Sequence, residues 1–70
     1  MPIALAPLNV EVTVVRVACD SKQLSHLAAL GIVKDSKITV LSSQGGAVVV
    51  LVKGSRLALD HQTASKIFVA

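Results

Sequence analysis

Cys19, His26 and His61 are the side chains here with the greatest capacity for chemistry, and they are far apart and unpaired in the chain. An iron or zinc site needs several His, Cys or carboxylate ligands converging on one point, and its usual sequence sign is close pairing of those ligands. No such pairing occurs, so Cys19 is expected to be a packed thiol and the two histidines surface residues, with no resident metal or cofactor. Nucleophilic catalysis needs a base within reach of the nucleophile and a group to stabilise the oxyanion. No motif arranges Cys19 with His26, or Ser55 with the adjacent Asp60 and His61, and Asp60 is in place to cap a helix. The Gly45-Gly46 pair is not followed by Lys-Ser or Lys-Thr at phosphate-loop spacing, nor by a long helix, so it is expected to close a hairpin. The chain is expected not to be an enzyme.

Charge weighs against a further class. The formal net charge is +3, from Arg16, Lys22, Lys34, Lys37, Lys53, Arg56 and Lys66 against four acidic residues. The cations are scattered and Phe68 is the only aromatic, whereas single-strand binders stack bases on aromatics and duplex binders concentrate basic side chains. Nucleic acid is therefore not the expected partner. Hydrophobic residues make up 53% of the chain, and a domain of this size buries only about 60% of the surface its unfolded form exposes. Aliphatic side chains should therefore remain outside, and a contiguous patch of them is usually a contact surface.

The elements that would position these residues read as β-rich. Residues 1–70 allow one domain with thin stability and, since Cys19 is alone, no disulfide. Pro2 and Pro7 suggest an extended lead-in over residues 1 to 8. In Val10 to Val17 the alternation slips between Val14 and Val15, which predicts a β-bulge. Asp20 and Gln23 suggest a capping box with Cys19 and Leu24 as its staple, opening a helix from about Ser21 to Leu30. Leu24, Leu27 and Leu30 form its apolar stripe, and Gly31 is its left-handed stop. The helix is expected to lie across the sheet. Lys34-Asp35-Ser36 reads as a turn, Lys37 to Leu41 as a strand, Ser42 to Gly46 as a hairpin loop, and Ala47 to Val52 as a strand covered on both faces. Gly54 permits a reversal into Arg56 to Leu59, Asp60 caps one helical turn, and Ile67 to Val69 forms a closing strand. The longest apolar run, Ala47 to Val52, is far shorter than the ~20 residues of a membrane span, and the N-terminus lacks the features of a secretory signal. A cytoplasmic protein without membrane insertion is expected.

The order LAALGI, KITVL, a Gly-containing hairpin, VVVLVKGSRLALD and ASKIFV resembles the FeoA family of small ferrous-iron transport proteins over nearly the whole chain. The resemblance implies a mostly β, SH3-like, partly open barrel of about five strands, with one principal helix and a short C-terminal helical turn. It also implies a cytosolic accessory of bacterial ferrous-iron uptake that binds FeoB, the GTP-binding iron permease, to regulate or assemble it. The alternative is a small SH3-like module associated with nucleic acid or transcription, because a fold alone does not fix a role. Lys34-Asp35 stands where the family usually has a Pro-Gly turn, and Asn9 where it often has glycine; Asp and Asn both tolerate left-handed geometry. The contact surface expected for the permease is the aliphatic face of Leu24, Leu27, Leu30 and Val33, with the possibility of a weak homo-oligomer left open.

Overall fold

Valine and isoleucine dominate the strands, and their branched side chains favour the extended backbone and pack well on a pleated surface. The computed structural model describes residues 1–70 and contains five antiparallel strands: β1 (Glu11–Val17), β2 (Lys37–Gln44), β3 (Ala47–Val52), β4 (Ser55–Leu59) and β5 (Ile67–Val69). Helix α1 (Ser21–Ala29) joins β1 to β2, and the single turn α2 (His61–Ala64) joins β4 to β5. Strand order is β4-β3-β2-β1-β5. The two ends of that order, β4 and β5, are not paired with each other, so the barrel is partly open.

Two irregularities curl this sheet. In β1 the register shifts between Val14 and Arg16, the place where the sequence predicts a bulge. Glu11 to Thr13 pair with β2, and from Val14 onward the strand pairs with β5. In β2 a second shift falls between Val40 and Ser42. An extra residue on one strand raises the local twist and bends it, which is what a five-stranded sheet needs to wrap a core. The second shift was not foreseen. It lets the ladder resume, so that Ser42, Ser43 and Gln44 pair with Val49, Val48 and Ala47, and the expected five-residue loop contracts to Gly45-Gly46. Both glycines have positive φ, 58° and 86°, as a two-residue hairpin turn requires.

The core consists of 15 buried residues, all apolar, with Val14, Val40, Val50 and Val69 at 0% exposure. On β3 the inward residues Val48, Val50 and Val52 are buried, while Val49 and Leu51 are only half-buried. Its second face is therefore less covered than its unbroken apolar run suggests.

The N-terminal segment differs from the expected extended lead-in. Ile3–Leu5 form a 3₁₀ turn that touches β2, β3 and β5, and Ile3 is 0% exposed. Pro7 still holds Ala6 extended, at φ −67° and ψ 148°, as a residue before proline should be. The turn forms because it drops Ile3 into the barrel, and full burial of such a side chain is worth about 1.5 to 3 kcal/mol. Met1 is stitched to the edge of β5 by its amino group, which donates to the Val69 carbonyl at 2.8 Å, and by its own carbonyl, which accepts the Val69 N–H at 2.7 Å.

Candidate functional site

Helix α1 begins where its cap dictates. The Asp20 carboxylate accepts the Gln23 N–H at 2.8 Å, satisfying one of the free donors of the first turn. The reciprocal half of the predicted capping box is not made: the Gln23 side-chain oxygen instead accepts from Lys66 Nζ at 3.5 Å. At the other end Leu30 is the cap residue, so the helix stops one residue earlier than expected. The Ile32 N–H donates to the Leu27 carbonyl at 2.9 Å and the Gly31 N–H to the Ala28 carbonyl at 3.0 Å. This is a full Schellman closure, with Gly31 at φ 94°. Leu27 and Ile32, the residues that such a closure brings together, are 2% and 1% exposed.

Leu27 is the one buried residue of α1. The helix is thus anchored mainly by Leu27, with Gln23 half-buried and its other side chains exposed. Between it and β1 runs a groove of about 600 Å³. One wall is Val15, Arg16 and Val17 of β1, the other is Leu24, Ser25 and Ala28 of α1, and Ile32, Val33 and Lys34 close its end. Val15, Leu24 and Val33 are 40%, 44% and 43% exposed. Aliphatic side chains held this far open along a concave surface are available to a partner.

The polar fittings of the groove are cationic. Arg16 and Lys34 line it, and no carboxylate does. The Arg16 guanidinium lies 5.7 Å from the centroid of the Phe68 ring, within cation–π range, which restrains its position. Val33 is held by a tight turn: Ser36 Oγ accepts the Val33 N–H at 3.2 Å and donates to the Val33 carbonyl at 2.7 Å. Asp35, in the same turn, takes φ 74°, a left-handed geometry that Asp tolerates better than most residues.

Of the four residues expected to make the contact, the structure brings Leu24 and Val33 together on the groove. Leu30 is 37% exposed but lies at the helix cap, outside the groove, and Leu27 belongs to the core. Sequence reasoning missed the β1 wall. The parity slip marked the place but pointed to one restored buried face along the strand, whereas Val15 is 40% exposed past the bulge.

The candidate reactive groups are elsewhere. Cys19 is half-buried against the core, while His26 and His61 are exposed. No three His, Cys, Asp or Glu side chains come together in a way that could hold an ion. His61 rests over the β2–β3 hairpin, since a Cβ placed on Gly46 would fall 2.5 Å from its ring. Asp60 accepts the Thr63 N–H at 2.8 Å as the cap of α2. That bond holds its carboxyl below the ordinary value of 3.8, with a smaller contribution from the neighbouring His61.

Comparison with known proteins identifies relatives of the whole chain. The FeoA domain family model matches residues 1–70. A protein of Methanocaldococcus jannaschii, provisionally named Fe(2+) transport protein A, is 34% identical over 68 residues, covering 97% of this chain and 83% of that protein. The crystal structure of an iron uptake regulatory protein, FeoA, superposes with a TM-score of 0.87 at 21% identity, covering 99% of this chain and 93% of its own. The IdeR of T. acidophilum contains the same fold, with a TM-score of 0.82 at 22% identity, covering 100% of this chain but 33% of that one. At such identities the structural likenesses speak for the fold, and the family and sequence matches for the relationship.

Proposed function

The chain belongs to the FeoA family of ferrous-iron transport accessory proteins, and on that premise we propose that it acts without chemistry of its own, by docking on the cytosolic part of a FeoB-type permease. The observation that carries this reading is the open groove between α1 and β1. A domain with 15 fully apolar buried residues has completed its core elsewhere, yet Leu24, Val15 and Val33 are left half-exposed around one concavity. Nothing in the fold closes it. Such a surface suits a protein partner, and the reading places this chain in the cytoplasm, where that part of the permease lies. Docking there would regulate or assemble the permease.

The test is capture of the permease from native membrane extract by the tagged protein, compared with Leu24→Glu. Leu24 is 44% exposed in the first turns of a helix anchored by Leu27, so the substitution should leave the circular dichroism spectrum unchanged while capture and iron uptake fall. Normal capture and uptake by the folded variant would move the contact to another face.

A further inference from the structure

The groove has a feature beyond its apolar walls, a free strand edge. Past the bulge β1 has one neighbour, β5: Arg16 pairs with Phe68, Val17 with Ile67, and the Ala18 N–H donates to the Lys66 carbonyl at 2.7 Å. Backbone groups of an antiparallel strand alternate between its two sides. With Ala18 bonded toward β5, the N–H and C=O of Val17 must point away from it, to the side where Val17 lines the groove. Earlier on the same edge, Val14 is occupied, donating to the Ser36 carbonyl at 2.8 Å and accepting the Asp35 N–H at 2.7 Å. The unpaired groups of Val17 therefore lie just past the last occupied position on this edge, beside the groove.

Resting on the docking role proposed above, we infer that the occupant of this groove is an extended peptide segment of the partner that adds beside β1 at Val17 and carries an aliphatic side chain next to a carboxylate. Main-chain hydrogen bonds to an exposed edge supply affinity in this mode, and pockets for the side chains supply selectivity. The aliphatic group meets Val15, Leu24 and Val33. The carboxylate meets Arg16 and Lys34, the two charges that line the groove. Arg16 is already oriented by the Phe68 ring, so little freedom is lost when it pairs. A fatty-acid tail would use the apolar walls but leave the Val17 backbone groups unpaired, which is why a peptide fits better.

The experiment selects from a library of short N-acetylated, C-amidated peptides using the full chain, with binding followed by amide chemical shifts. The expected selection is an aliphatic residue flanked by Asp or Glu, with shifts centred on Val15 to Val17, Leu24 and Val33. Binding should weaken as salt rises and fall on the order of tenfold for the double variant Arg16→Glu, Lys34→Glu, which should instead prefer Lys or Arg in the peptide. Arg56→Glu, on β4, should retain the acidic preference. Arg16→Gln with Lys34→Gln serves if the reversed variant does not fold, and should abolish the charge preference. Selection without regard to charge, shifts confined to another face, or decanoate binding in the groove while no peptide does would each overturn the inference. If the unmodified chain fails to capture the permease but still selects acidic aliphatic peptides, the docking role falls and the peptide site stands; if capture persists with no peptide selected, the peptide site falls alone.

Discussion

Gly31 concentrates several demands in one residue. Its φ of 94° is reached at little cost only by glycine, and a Cβ there would stand 3.0 Å from Val52 Cγ1 in the core. Gly31→Val should therefore lower stability by more than about 1 kcal/mol, read as a drop in thermal or urea midpoint. Gly45→Ala, at φ 58° with nothing within 4 Å of the added carbon, should cost less, and equal losses would show that contact with Val52 contributes nothing. Asp60 makes a prediction about pH. Its folded pKa is depressed, mainly by the hydrogen bond from the Thr63 N–H, so the stabilisation is fully present above the ordinary value of 3.8 and is lost as pH falls through the lower folded value. Asp60→Asn, which keeps a capping oxygen but not the charge, should accordingly flatten the acid limb of a plot of melting temperature against pH, lying slightly below the parent at neutral pH and approaching it at acid pH.

Among the elements, α1 is the one whose stability depends most on its ends. One buried side chain in nine residues gives it little packing, and tertiary packing is what normally sustains a helix this short. Its cap should matter accordingly: Asp20→Ala should cost about 1 kcal/mol, and the amides of α1 should exchange with solvent faster than those of β3, as native-state hydrogen exchange would show. Equal protection of the two would mean that the helix is held by more than Leu27 and its Schellman closure. The caps, the helix stop and the β1 bulge were all legible in the sequence, because each is written in residues adjacent along the chain. The 3₁₀ turn at Ile3 and the irregularity near Leu41 were not, since both are settled by distant partners: Ile3 by β2, β3 and β5, and the β2 ladder by the valines of β3.

For the whole molecule, an iron-system protein without a converging ligand set should not retain its cargo. Cys19, His26 and His61 contribute to no cluster of three ligating side chains, so calorimetry should detect ferrous iron binding weakly or not at all; a tight stoichiometric site abolished by replacing both histidines would contradict this. The sequence by itself determined the class of fold, five short strands with one capped helix and a capped turn, and it marked Leu24, Leu27, Leu30 and Val33 as candidates for contact, of which only Leu24 and Val33 line the groove. Period-two alternation, capping side chains and left-handed residues act over a few neighbouring positions, so they can be read without the rest of the chain. Only the tertiary structure decided that Leu27 is inside while Leu24, one turn earlier on the same stripe, is half in solvent. It alone placed Val15, Leu24 and Val33 around one groove with Arg16 and Lys34. Those choices depend on where the bulged strand, the helix end and the Val33–Ser36 turn meet in space, and an apolar residue carries no local mark of whether its neighbour across that gap will be protein or water.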